Sequence, residues 1–256
     1  MAAADISPPN AGSGNGLPAH SRNGSADDLL PITMDISDGT SVSEAMHIVE
    51  EWSPGGLDAL VTFAAIGGIG PLMETPSERL SKVMDINVVG THRTVLAGWR
   101  LVQRAGGRVI LIGSEAGSQH SMPLNGPYAM SKHAMEAYAD ALRRELMFVG
   151  VPVVLMQPGP FRTEMISRVP GVFESVPAES PFKPLADYAV RRLSGLDSKA
   201  SDPSLLADAV FDAATASRPR IRYPVGINRS RALLDLLPVA AVDGVLKLAL
   251  THSESR

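Results

Sequence analysis

Tyr128 and Lys132 stand four residues apart in Tyr128-Ala-Met-Ser-Lys132, a spacing that sets a phenol and an ammonium on one face of a helix. Such a pair suits acid/base work. The chain holds 4 Tyr and 5 Lys, so the spacing alone is a weak signal and its surroundings decide its weight. Ser114 lies just after the apolar run Val109-Ile-Leu-Ile112, at a strand end of the kind that lines the crevice of an open parallel sheet. Asn87 falls on the apolar stripe that includes Val83 and Met84, where a buried amide needs a hydrogen-bonding partner. Pro158-Gly-Pro-Phe-Arg-Thr163 makes a turn after another apolar run.

The elements that must position these residues are legible as alternating patterns. Ile32-Thr-Met34, Ala59 to Ala65, Val109 to Ile112, Val151 to Met156 and Ile221 to Val225 read as buried strands. Helical stripes lie between them: Val42, Ala45, Val49 and Trp52, then Leu80, Val83, Met84, Thr91 and Leu96, then the Ala-, Leu-, Glu- and Arg-rich stretch from Pro127 to Met147. Asn125 is placed to cap that last helix and Pro127 suits its first turn. Strand then helix, repeated, predicts an α/β fold with a mostly parallel sheet covered on both faces. A helix from about Arg231 ends the chain. Residues 1–28, rich in Ala, Gly, Ser, Asn and Pro, have little to bury and read as a linker or poorly ordered arm ahead of one domain over 29–256. The stretch 161–201 is Pro-, Ser- and Gly-rich, reads as a long lid or substrate loop, and carries Met165, Val169, Val172, Phe173 and Phe182, which suit an apolar substrate.

Composition narrows the function. The 256 residues are 45% hydrophobic and 20% charged, enough for one sizeable core. Without cysteine there is no disulfide, thiolate nucleophile or zinc-thiolate site. A net charge of −4 argues against nucleic acid as a partner. The start lacks the pattern of a secretory signal and no apolar run is long enough to span a membrane, so the expected compartment is the cytoplasm. The six histidines show no ligand spacing and read as surface or packing residues.

The order Asn87, Ser114, Tyr128-x-x-x-Lys132, Pro158-Gly159 and Thr163 resembles the short-chain dehydrogenase/reductase family over residues 30 to 256. Met84-Asp-Ile-Asn-Val-Val-Gly90, Gly107 to Ser114, Gly126 to Lys132 and Arg222-Tyr-Pro-Val-Gly226 support it. The resemblance implies a Rossmann-like, three-layer αβα, doubly wound sheet and NAD or NADP as cofactor. It also implies roles. Tyr128 would exchange a proton with a carbonyl or alcohol, Lys132 and the helix start would lower the phenol pKa, Ser114 would hold the substrate oxygen, and Asn87 would position a water. Pro158, Gly159 and Thr163 would face the nicotinamide, Asp35 and Ile36 the adenine, and Ala64 and Ala65 would lie beside the adenine ribose. The helices from about Glu78 to Gln103 and from Pro127 to Met147, apolar on more than one face, would pair in a homodimer or homotetramer.

Departures from the family's pattern set alternatives beside that reading. The glycine-rich phosphate loop survives at best as Gly14 and Gly16 in Pro9 to Gly16, and only 15 residues separate Gly16 from Ile32. The first βαβ unit, which takes about 30 residues, therefore reads as incomplete. Arg22 is a weak candidate for a 2′-phosphate contact. Thr62-Phe-Ala-Ala65 replaces the family's segment beside the adenine ribose, and one residue is inserted between Ser114 and Tyr128, which predicts a bulge. Three functions follow: an NAD(P)-dependent oxidoreductase on a hydrophobic secondary alcohol or ketone, with weakened cofactor binding; a cofactor-independent acid/base enzyme (cyclase, dehydratase or lyase); and a catalytically silent binding subunit.

Overall fold

In the computed structural model, residues 2–5, 29–193, 200–228 and 233–251 are described. Two parallel sheets are formed. In the first, β1 (Ala2–Asp5) pairs with β2 (Leu30–Thr33), Ala2 opposite Leu30 and Asp5 opposite Thr33. The second has the order β3 (Ala59–Thr62), β4 (Arg108–Ile112), β5 (Val153–Pro158), β6 (Arg222–Val225), all parallel. Parallel neighbours need long crossovers, which helices supply. α1 (Gly39–Trp52) joins β2 to β3, and α2 (Ser77–Met84) and α3 (Thr91–Ala105) join β3 to β4. α4 (Glu115–Ser118) and α5 (Gly126–Leu146) lead to β5. Before β6 come α6 (Glu164–Ser167), α7 (Val169–Glu174), α8 (Lys183–Leu193) and α9 (Pro203–Thr215), and α10 (Val239–Thr251) follows it.

The apolar runs of β4 and β5 follow from burial on both faces. Val109, Leu111, Val153 and Leu155 pack with Val95, Val102, Met135 and Ala139 of α3 and α5. The alternate residues, Ile110, Ile112, Val154 and Met156, meet Ala213 of α9 and Tyr223 of β6 on the other side. That alternation is the three-layer αβα arrangement expected from the sequence. Beside it, α1 presents Val42, Ala45 and Val49 to Ile32, Met34 and Leu101. Gly98 lets α3 approach the sheet closely, since a Cβ there would lie 2.9 Å from Leu60 Cδ2.

Several details depart from the sequence reading. Trp52 and Leu96, placed on the buried stripes, are exposed at the ends of those stripes. Residues 2–5, read as part of an arm, form β1. The stretch 161–201, read as a loop, holds α6, α7 and α8, closed at its base by a Phe161–Ser201 bridge. Its Val169 and Phe173 pack on Leu124, Val176 and Ala186 in a small core of their own. Gly14, Gly16 and Arg22 lie outside the described residues. No helix among the described residues is long and apolar enough to cross a membrane.

Candidate active site

α5 carries Tyr128 and Lys132 and is seated from several sides. Met135, Ala139 and Leu146 bind it to the core. Toward β5 and β6, Glu136 Oε1 accepts from Gln157 Nε2 at 2.7 Å, and Arg222 bridges Glu136 and Asp140 at 3.0 Å each. Its first turn is held by the loop after β3: a Cβ on Gly68 would fall 2.8 Å from Pro127 Cβ and 3.0 Å from the Tyr128 nitrogen. Only glycine allows that approach. Pro127 opens the helix as expected, but the Asn125 side chain makes no cap; the Asn125 carbonyl accepts from Ala129 N instead. The loop ahead of α5 contains Leu124 in a left-handed conformation, φ 63°, with its carbonyl accepting from Gly70 N. Where the sequence predicted a bulge, a non-glycine residue takes this strained geometry, as happens near functional sites.

Ser114 ends the β4 strand run and caps α4. Its Oγ accepts from Ala116 N at 3.2 Å and donates to Pro158 O at 3.4 Å, which links the ends of β4 and β5. The same hydroxyl lies on the side of the Tyr128 phenol and favours its ionised form. Burial pushes that phenol above its ordinary pKa; the Ser114 hydroxyl pulls down and the Glu115 charge pushes up. The expectation that Lys132 lowers the phenol pKa is therefore corrected in its net direction. The Lys132 ammonium is 3% exposed, donates to Ile112 O at 3.0 Å and lies 5.6 Å from the Tyr128 ring centre. Burial brings its pKa down to about 8, so near neutrality it is easily deprotonated.

Asn87 sits in a π-helical turn, Asp85–Gly90, that joins α2 to α3. Its side chain is spent on structure: Oδ1 accepts from Ile66 N at 2.8 Å, and Nδ2 donates to Ile66 O and Ser131 Oγ. Its carbonyl accepts from Thr91 Oγ1. The amide thus pins the loop after β3 to α5. Extra-residue turns of this kind often mark functional sites within helices.

The other expected residues scatter along the strand ends. Pro158 and Gly159 end β5, where Gly159 N donates to Val225 O. Thr163 is exposed and precedes α6 without a side-chain cap bond. Ala64 and Ala65 follow β3, with Ala64 and Phe63 exposed. Thr62 Oγ1 beside them is buried with no hydrogen-bond partner. Asp35, after β2, accepts from Ser37 N and Oγ, bonds that hold its carboxyl below the usual pKa. Ile36 faces inward: it is buried, packs under Gly90, and its carbonyl accepts from Arg93. Gly67, by contrast, has open space where a Cβ would point. The unpartnered Thr62 hydroxyl and the open space at Gly67, just past the end of β3, are features that fit a dinucleotide lying across the strand ends. The glycines meant for its phosphates lie outside the described residues.

One acid escaped the sequence reading. Glu115, next to Ser114, is buried, and its Oε2 accepts from Asn228 N at 2.9 Å. The signal was an acid inside the apolar stretch Ile112-Gly-Ser-Glu-Ala-Gly117. Among the described residues no group of three or more His, Asp or Glu is placed to hold a metal ion.

The family profile described as short chain dehydrogenase matches residues 13–170. The chain belongs to that family. It is 31% identical to retinol dehydrogenase 16 of Rattus norvegicus over 245 residues, which covers 88% of this chain and 74% of that protein. It is also 31% identical to the NADPH-dependent 3-dehydrocapnine reductase of Ornithobacterium rhinotracheale over 230 residues, 84% of this chain and 78% of the relative. A crystal structure of a short-chain dehydrogenase from Streptomyces avermitilis superposes with a TM-score of 0.66 at 23% identity, covering 90% of this chain and 79% of that one. Fold and sequence agree. The chain is an oxidoreductase of the short-chain dehydrogenase family with a Rossmann-like parallel sheet.

Proposed function

We propose that this oxidoreductase interconverts a hydrophobic secondary alcohol and its ketone, with Tyr128, Ser114 and Lys132 at the reacting carbon and NAD or NADP as hydride carrier. The observation that carries this reading is the convergence of Ser114, bonded to Pro158 O, and the buried Lys132, bonded to Ile112 O and 5.6 Å from the Tyr128 ring centre, at the ends of β4 and β5. The bound nicotinamide supplies or receives the hydride. Ser114 holds the substrate oxygen and orients it toward Tyr128. Tyr128, its phenol protonated through the neutral range by burial, delivers a proton to that oxygen in reduction and takes it back in oxidation. Lys132 relays charge from behind the ring: deprotonating near pH 8, it can pass a proton on where a fixed cation could not. Asn87 keeps the loop after β3 against α5, so its part is to hold the floor of the site.

Cofactor contacts follow from position. Pro158, Gly159 and Thr163 border the nicotinamide end, Ala64, Ala65 and Gly67 the middle, and Asp35 the adenine. Ile36 supports that edge from the core. Phosphate contacts are the weak part of this assembly, and we expect low affinity for either dinucleotide.

The apolar exposure of Phe63, Met73, Met165, Leu233 and Leu236 around the strand ends supports a hydrophobic substrate, handled by one domain whose segment 161–201 is the lid. Val89 in the π-helical turn, Leu96 on α3, and Ala137 and Ala141 on α5 are exposed, the surface for a homodimer or homotetramer of a cytoplasmic enzyme. The test is nicotinamide reduction by purified protein supplied with NAD or NADP and a series of secondary alcohols of rising chain length. The reading requires turnover that improves with length; turnover by none of them, or carbonyl-free elimination without nicotinamide, would replace it with the cofactor-independent alternative.

A further inference from the structure

We propose that Glu115 is a positioning residue of the catalytic turn: its carboxylate fastens the segment after β6 onto the turn that carries Ser114, and so fixes Ser114 against Tyr128. The inference rests on the assignment of Ser114 and Tyr128 made above. Glu115 is only 7% exposed, and a buried carboxylate persists where donors hold it. One donor is Asn228 N at 2.9 Å. The chain reaches Asn228 through Gly226, at φ 61°, whose carbonyl is so close to Gly159 that a Cβ there would approach to 2.1 Å. The segment is thereby threaded between the Pro158-Gly159 turn and α4.

A second tie of the same chemistry closes the other end. Asp235 Oδ1 accepts from His120 N at 2.7 Å. Both ends of the turn 115–120 are thus bound, carboxylate to backbone amide, to one segment that also carries the exposed Leu233 and Leu236. Charge-assisted bonds of this kind are the stronger class. Ser114 begins this turn and reaches Pro158 O. Three strand ends, β4, β5 and β6, are therefore locked together around one hydroxyl, and Glu115 supplies the link to β6.

Glu115 also faces the phenol electrostatically. The charged groups near Tyr128 are Glu115 on α4 and Lys132 on its own helix. On the elements packed against α5 the others are engaged elsewhere: Arg79 of α2 with Ile69 O, Asp85 with Arg93, and Glu136 with Gln157 and Arg222. Lys82 of α2 acts on Asp35.

Hydrogen exchange by mass spectrometry on the full chain tests the fastening without needing turnover. Glu115→Ala is expected to raise exchange about tenfold or more at Gly226 to Asn228, with β4 and β5 unchanged. Glu115→Gln, which keeps an acceptor, is expected to stay near wild type. If Glu115→Ala does not fold, Asp235→Ala reads the paired tie as faster exchange at the amide of His120. In kinetics, Glu115→Ala should lower kcat more than it alters KM, and Glu115→Gln should restore kcat while moving the rising limb of the pH profile of alcohol oxidation to lower pH. Unchanged exchange in both alanine variants, or a Glu115→Gln pH profile identical to wild type, overturns the proposal. Faster exchange together with turnover that survives Tyr128→Phe would leave the fastening in place and overturn the catalytic assignment instead.

Discussion

Strands β4 and β5 are buried along nearly their whole length on both faces, whereas β1 and β2 form a separate pair in which Leu30 and Pro31 are half-buried and Thr33 is exposed. The first region carries Ser114, Pro158 and the seat of α5; the second leads only to Asp35. In the proposed function, chemistry that must hold a proton donor to a fraction of an ångström would rest on the rigid half, where side chains interdigitate and cannot drift. Recognition of the far end of a dinucleotide would rest on the short pair. The boundary between them, at Thr62 and Phe63, has a buried hydroxyl without a partner and an aromatic ring 54% exposed. Placement of the reacting groups is thus separable from affinity for the cofactor, and each can be perturbed alone.

The largest effect should come from Tyr128→Phe, which removes the proton carrier and keeps the ring's packing. Turnover should fall by about 10²- to 10⁴-fold with little change in melting temperature. Asn87→Ala should loosen the rigid half, because it leaves the Ile66 amide and carbonyl without partners; denaturant titration should show a loss of about 2 kcal/mol.

Lys132→Met sharpens the comparison through pH. Folding lowers the Lys132 pKa from 10.5 to about 8, so below 8 both states hold the proton and the folded state bears the full cost of a buried charge. Between 8 and 10.5 the unfolded chain binds more protons, so wild-type stability rises with pH. Relative to Lys132→Met, wild type should gain about 3 kcal/mol across that window by urea titration, and a flat difference would reject it. The smallest effect belongs to the short pair: Asp35→Ser should weaken NADH binding several-fold by calorimetry and leave kcat at saturating cofactor unchanged.

The legible parts of the sequence were those where one physical demand dominates. Val109 to Ile112 had to be apolar on consecutive positions because both faces are covered, and Tyr128 with Lys132 had to share a helix face. β1 was missed because three alanines and an aspartate carry little strand preference of their own; pairing with β2 supplies it. The helices within 161–201 were missed because proline was read as a breaker. Pro170 and Pro184 instead sit in the first turns of α7 and α8, where their fixed φ favours helix initiation. The direction of the Tyr128 pKa was misjudged because spacing reveals a nearby lysine but not the desolvation that outweighs it. Glu115 was overlooked because its partner amide lies 113 residues away.

Calorimetric titration of the purified protein with NADH, repeated on Tyr128→Phe, tests the separation of chemistry from affinity most directly. Loss of two charge-assisted phosphate contacts corresponds to a hundredfold or more in affinity. The expected result is saturable binding with a Kd above about 100 micromolar, the same in both proteins. A sub-micromolar Kd, or no binding at millimolar NADH while turnover still depends on Tyr128, would contradict it.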